Sequence, residues 1–596
     1  MLVVGLGHSG SICSDGVVYA DDIIDEINNE KPVKYEKNII NGDIKFNSDV
    51  KKNIEIKNCT ITGKVDFKET IFHGLVDFSD TKFMQDTDFK STNFRDEVIF
   101  ENTYFFGNAD FEKVNFTRKV NFLQTKFEKN AIFEGANFTE AYFQRTNFTQ
   151  NANFKSSEFK EFADLKEVKF GNNVDFTNTG FKKGGDFKHA HFNGNAIFRN
   201  VDFGGAIELE NAKFLGDVDF SHINCKEKIN FYRTNFSKKT NFTNSGFSGA
   251  YFESATFGGD AKFESATFGG DAKFDYAKFN NIADFSAAKF NNQTQFSSAE
   301  FSNNDIAWFK GAKFYGESKF KNTQFNNETS FISSEFSIDT TFMNSTFFGN
   351  AIFMLSDFKG NAYFNHTKFL GKTEFQKSDF NGNADFEDTE FLGETDFNQS
   401  EFRGDLDFTK VYFEGLLNMS SMKFGLGRLD INFDSINFNP VNRLTCDDAT
   451  YMRLIMNFKE IGRISDANDC YFQFRLNSQP RDLSFKKLED WFFRYSCGYG
   501  VRPKYVIIPA SIFVLSFAIF YKIINIRSKK RRSKEKIEEK SFKEYLVLSL
   551  QIFTLQPHDS MPSTSALTRF LGLLEGLLGL IVFGLFIAAL SNKMAF

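Results

Sequence analysis

Proline is scarce in this chain, 7 residues in 596, and tryptophan scarcer still at 2, while phenylalanine reaches 83. A composition so skewed departs from that of a generic globular domain and points to internal repeats. Cysteine is sparse too: the six, at 13, 59, 225, 446, 470 and 497, lie far apart and show no CxxC spacing. That argues against a disulfide framework or a zinc site and fits a reducing, cytoplasmic setting for most of the chain. Excess charge of one sign is also lacking, since 71 basic and 77 acidic residues leave a net of −6. Without a basic field no nucleic-acid partner is expected. Nowhere do a nucleophile, a base and a metal set converge, so the sequence reads as a non-enzyme with no cofactor and no metal. The opening MLVVGLGHSGSICSDGVV has no basic stretch before its short apolar run and makes a poor secretory signal. No βαβ pattern follows its GLGHSG, which is therefore not read as a nucleotide loop.

What the chain does contain is a clock. From Phe67 to Phe424, Phe recurs in steps alternating five and six, as at 252, 257, 263, 268, 274 and 279. Two residues earlier the side chain is small, often Ala, as at 255, 261, 266, 272 and 277. Neither helical nor simple strand periodicity accounts for this. If each step is one face of a coil, one large and one small side chain point inward and the others meet water. Four faces close a turn, and stacked turns set Phe on Phe in ladders while the backbone pairs with the turns above and below. The Gly and Asn of FNGNADF and FLGETDF are expected at corners that need positive φ. Slips are expected between Phe159 and Phe176 and between Phe301 and Phe309, with Trp308 marking a loop or bulge. The frequent Asp and Glu read as solubilising. His189 and His191 read as a plain surface pair, with a metal pair as the alternative.

This pattern resembles the pentapeptide-repeat family in its Phe-centred variety. The resemblance implies a mainly β solenoid, a right-handed quadrilateral β-helix, over about residues 41–430. Counted from the clock it holds about 16 coils and, at ~4.8 Å per layer, runs of order 75 to 80 Å. Residues 1–40 are expected to form an N-terminal segment and helical cap, with a short amphipathic helix near 21–29.

Beyond the clock, residues 440–500 read as a helical linker. Tyr451, Leu454, Ile455, Phe458 and Ile461 fall at helical spacing behind Asp447 and Asp448, which favour a helix start. A second helix is expected in LSFKKLEDWFFRYSCGYG. Its Trp491, Phe492, Phe493 and Tyr495 suit either a helix lying on a membrane surface or packing against the end of the rod. CGYG, 497–500, reads as a helix C-cap and turn leading to Pro503.

Residues 501–596 read as a membrane module. Two spans are expected at about 505–524 and 567–590, with a helix at about 542–554 between them that is too short to cross and suits a re-entrant segment. Span, half-helix, polar loop and span together resemble the two-transmembrane potassium-channel-like pore domain over about residues 500–592. That family's filter runs T-x-G-[YF]-G-D, then Pro, Arg, Glu and inner-helix glycines. Here the corresponding residues are Thr554, Leu555, Gln556, Pro557, His558 and Asp559, then Pro562, Arg569, Glu575, Gly576 and Gly579. Gln556 and His558 stand where the filter needs Gly, so the resemblance implies a filter position without potassium selectivity. Gly576, Gly579 and Gly584 serve as a gating hinge or permit close helix packing.

One chain supplies too little to surround a hole, so a homotetramer in a lipid bilayer is expected. The basic run 527–536 argues for a rod outside, whereas the absence of a signal peptide argues for the rod and both termini inside, in the cytoplasm of a multi-pass membrane protein. The expected function is that of an ion-channel-like protein whose permeant ion the sequence does not identify, with a possible protein partner on the rod. The alternative is a membrane-anchored oligomeric scaffold with a degenerate pore module. A DNA-mimicking rod needs a continuous acidic face, which interspersed Lys interrupts.

Overall fold

A strand of two residues makes too few backbone hydrogen bonds to persist alone, so it survives only with like strands stacked on either side. The repeat supplies that stack. The computed structural model describes residues 16–301, 305–424, 431–432, 444–479, 485–531, 541–556 and 566–594. In it the repeat winds into a parallel β-solenoid of about 18 turns. Every second Phe takes the inward position of a short strand, and those between, such as Phe78 and Phe89, come directly after one. Lys82–Phe83, for example, pairs in parallel with Thr60–Ile61 of the turn before and Tyr104–Phe105 of the turn after. The ladder continues through the flanking amides, with Lys82 N–H donating to Cys59 O at 2.8 Å and Met84 N–H to Ile61 O at 3.0 Å. The strands fall into two stacks of 19 and one of 33, in which two series are joined by longer strands such as Asn115–Asn121.

Inside, the rings stack along the solenoid and meet edge to face across it. Phe83 and Phe105 lie 4.8 Å apart and nearly parallel, whereas Phe100 and Phe111 meet at 80° with centroids 5.7 Å apart. Each fully buried ring contributes roughly 1.5–3 kcal/mol of transfer free energy, and ring pairs add about 0.5–1.5. On the faces where the small inward residue just precedes a strand, a Thr there gives its hydroxyl to a carbonyl of the preceding turn: Thr92 to Phe67 O at 2.8 Å, Thr103 to Phe78 O at 2.7 Å and Thr125 to Phe100 O at 2.6 Å. A buried hydroxyl is thereby satisfied.

The corners divide the backbone's difficulties between them. At one kind a residue in the left-handed region recurs every eleven positions, as at Asn102, Lys113 and Gln124. The glycines of FNGNADF and FLGETDF, expected to supply positive φ, sit at the other kind and do not adopt it. They are there for room: a Cβ on Gly382 would lie 2.5 Å from the backbone of Gly360, and one on Gly393 would lie 2.2 Å from the oxygen of Gly371.

The slip expected between Phe301 and Phe309 is present as two extra residues in one turn, whereas the one expected between Phe159 and Phe176 is not a slip. Leu165 replaces Phe between Phe159 and Phe170, and the strand register continues through it. Trp308 keeps strand register opposite Asp284 in a turn two residues longer than the one that pairs Val76 with Val98, so it is no bulge. The solenoid also exceeds the 16 coils expected, because its first turns use Ile40, Ile44, Val50, Ile54 and Ile61 for the buried positions. β-branched aliphatics fill the same space without sounding the Phe clock. Helix α1, Ala20–Asn28, buries Ala20, Ile23 and Ile27 beside the first strands.

The chain forms two compact units, Met1–Leu417 with Met422–Ile431, and Asn418–Ser421 with Asn432–Phe596. The second is helical. Asp447 caps α2, Asp448–Glu460, by accepting from Thr450 N–H at 2.8 Å, and Tyr451, Leu454, Ile455 and Phe458 are buried. Ile461, counted with them from its spacing, caps the helix and is exposed. Helix α3, Ile464–Asn477, has no counterpart in the sequence reading because it buries Ala467, Asn468, Cys470 and Gln473, small or polar residues that leave no apolar stripe. Helix α4, Phe485–Cys497, stops at Gly498, Tyr499 and Gly500, all with positive φ. Tyr499 Oη donates to Asp490 Oδ2 at 2.9 Å, which makes this a structural turn. A 3₁₀ turn, Pro503–Val506, leads into α5, Ile507–Arg531, followed by α6, Phe542–Phe553, and α7, Ala566–Met594.

Candidate functional site

Among the described residues two helices are long and apolar enough to cross a membrane, Pro503–Arg527 and Ala566–Ser591. Between them in sequence, α6 has 12 residues and rises only about 18 Å, too little for a hydrocarbon core of about 30 Å. One of its faces is buried, while Val547 and Leu550 on the other are exposed. Tyr545, Leu548 and Ile552 of α6 are buried against Phe517, Ala518 and Tyr521 of α5, with Leu571 and Leu578 of α7 completing the cluster.

Contact between α6 and α7 depends on glycine. A Cβ on Gly579 would lie 1.9 Å from Phe553 O, and one on Gly576 would lie 3.2 Å from the tip of Leu555. Gly584 faces open space, with nothing within 4 Å of its Cβ position. At this depth α7 also carries Glu575, fully buried, whose two oxygens face the hydroxyls of Tyr521 on α5 and Ser549 on α6. The sequence pattern marks Glu575 and gives no sign of Tyr521 or Ser549.

The polar stretch after α6 begins as a helix terminus. Thr554 turns its Oγ1 back onto Leu550 O at 2.7 Å. Leu555 has φ 55°, in the left-handed region; its N–H donates to Ile552 O at 3.1 Å, and Gln556 N–H donates to Gln551 O at 2.8 Å. These two bonds across a left-handed residue make a Schellman terminus with Leu in the place Gly usually fills. Left-handed backbone therefore falls on Leu555, one residue before Gln556. A cavity of about 410 Å³ beside it is lined by Val506, Phe553, Leu555, Gly579 and Phe586 and is almost wholly apolar. Pro557, His558, Asp559 and Pro562 lie outside the described residues, as do GLGHSG and 532–536 of the basic run.

On the solenoid, His191 sits in a strand between Lys169 and Lys213 of the adjoining turns, and burial together with those two charges and His189 holds its imidazole pKa down. His189 is exposed in a turn. Among the described residues no group of three or more His, Cys, Asp or Glu is placed to hold a metal ion. Ion pairs link successive turns, such as Arg145 to Glu167 at 3.0 Å and Lys368 to Glu390 at 2.8 Å.

Neither the curated proteins nor the solved structures include a match to this chain. A family model does match, that of pentapeptide repeats in nine copies, over residues 47–93, 100–147, 143–191, 183–224, 231–278, 309–354, 355–401 and 375–422. Those stretches cover more than half of the sequence and coincide with the turns of the solenoid, and the chain belongs to the pentapeptide-repeat family.

Proposed function

We propose that this protein is a membrane-embedded, channel-like homotetramer whose pentapeptide solenoid, in the right-handed quadrilateral form, stands in the cytoplasm as a platform for a protein partner. The observation that carries the reading is α6, a helix too short to cross a bilayer yet with one face buried against two helices that are long enough. In the proposed arrangement α5 and α7 span, α6 enters and returns, and α4 lies at the bilayer surface with Phe485, Leu488, Trp491 and Phe492 toward lipid, all of them exposed in the single chain. Fourfold symmetry brings four copies of Thr554 to Asp559 around one axis. Gln556 and His558 in place of glycine favour a wider, non-selective path over a potassium filter.

Flux through purified protein in liposomes tests this. Ion passage is expected, and Asp559→Asn is expected to change its rate or selectivity. No flux from an intact tetramer at any pH or voltage overturns the conducting reading. The Schellman end at Leu555, with the Thr554 hydroxyl already spent on Leu550, favours one other reading: a scaffold in which the same module only gathers the rods. In that case Gln556→Gly with His558→Gly leaves the protein's behaviour unchanged. Labelling of a cysteine placed at Ser533, from each side of the membrane in turn, decides the topology.

A further inference from the structure

Glu575 is fully buried and belongs to α7, within a segment apolar enough to cross a membrane. Among the described residues the side chains that bond to it are two hydroxyls. Tyr521 Oη of α5 stands 2.7 Å from Oε2, and Ser549 Oγ of α6 contacts Oε1. Among the described residues no Lys, Arg or His side chain lies against it. A carboxylate in such a place has no compensating charge, and isolated charge at low dielectric is among the costliest things a fold can hold.

Counting protons sharpens the point. Ser549 Oγ lies within hydrogen-bond distance of two oxygens, Glu575 Oε1 and the backbone carbonyl of Val514, the latter at 2.8 Å. Serine has one hydroxyl proton and two lone pairs, and Val514 O can only accept. With an ionised Glu575, Ser549 can serve one of the two acceptors, and the other contact sets two unprotonated oxygens against each other. With a protonated Glu575 every group is satisfied in one direction: Oε1–H donates to Ser549 Oγ, Ser549 O–H donates to Val514 O, and Tyr521 O–H donates to Oε2.

We propose that Glu575 is held as a neutral carboxylic acid, and that its proton completes a directed hydrogen-bond chain through α7, α6 and α5, making Glu575 the positioning residue for α6. The chain crosses three helices at one level, so it fixes the depth and rotation of α6, and with them where residues 554–556 begin. This holds whether or not the assembly conducts.

Infrared difference spectroscopy of the purified full-length protein tests it. The spectrum of wild type minus Glu575→Gln is expected to contain the carbonyl stretch of a protonated carboxyl at neutral pH, shifted in heavy water. A difference spectrum showing carboxylate bands instead overturns the proposal. Should Glu575→Gln fail to fold, Ser549→Ala supplies the second reading, since it removes the proton's acceptor and must shift that same band to higher frequency; an unmoved band overturns the proposal. Hydrogen exchange tests the positioning. Glu575→Gln, which keeps a donor toward Ser549 and an acceptor for Tyr521, is expected to protect the α6 amides as wild type does, whereas Glu575→Leu accelerates their exchange by about tenfold or more. Equal protection in the two variants overturns the positioning role.

Discussion

The carbonyl oxygen of Phe553 lies 1.9 Å from the point where a Cβ on Gly579 would stand. Backbone touches backbone there, so no rotamer change can make room. Gly579→Ala is expected to push α6 off α7 and cost about 1–3 kcal/mol, as overpacking of a tight contact does. Gly584→Ala meets open space and, through helix propensity alone, is expected to be neutral or to stabilise by up to about 1 kcal/mol. Thermal unfolding of the two variants in detergent, side by side, checks this. Equal effects would remove close packing as the reason for Gly579.

Leu355 presents the opposite case, an exposed side chain on left-handed backbone with φ 59°. The conformation costs an L-residue about 1–2 kcal/mol, and Asn bears it better than Leu while a β-branched residue bears it worse. Leu355→Asn is therefore expected to raise the first thermal transition of the solenoid and Leu355→Val to lower it. The order Asn, Leu, Val by calorimetry is the outcome to look for, and its reversal would show that the side chain's contacts outweigh the corner's backbone.

Thr103 is wholly buried and donates to Phe78 O at 2.7 Å. Thr103→Val keeps the shape and removes the hydroxyl, so a loss of about 0.5–1.5 kcal/mol is expected, while Thr103→Ser keeps the donor and trades it for a small cavity. Denaturant unfolding of both separates the two contributions. A Val variant as stable as wild type would mean that the Phe78 carbonyl is served well enough by the amide of Thr81, which already donates to it at 3.1 Å.

These variants also mark what the sequence discloses. The solenoid is legible wherever one residue type repeats at fixed spacing, as Phe does, because a stacked core rewards the same ring at each level. It is illegible in the turns built on Ile40, Ile54 and Val65, where aliphatic residues fill the same positions. The left-handed corners are equally silent, since Asn102, Lys113, Gln124 and Leu355 share a dihedral and no side-chain property. In the helical unit, hydropathy marks the two long helices and glycine marks the contact of α7 with α6. The partners of Glu575 stay hidden, because Ser549 lies 26 residues away and Tyr521 54, and nothing in either local pattern points to the other.

His191 provides a test that depends on pH. Burial comes first and the neighbouring Lys213 and Lys169 next in holding its imidazole pKa below the ordinary value, so the folded chain prefers it neutral. The unfolded chain, free of these neighbours, takes up a proton near the ordinary value of about 6.5. Since the unfolded state binds more protons below that pH, His191 lowers the stability of the fold as pH falls through about 6.5, and contributes nothing to its pH dependence well above it. His191→Gln is therefore expected to flatten the acid side of the stability curve below about pH 6.5 and leave it unchanged at pH 8. Lys169→Glu with Lys213→Glu, which reverses the two charges, is expected to move the His191 titration upward, read directly from the imidazole carbon-bound proton by NMR. A titration that stays put in that double variant would assign the depressed pKa to burial and His189 and strip the two lysines of their part in it.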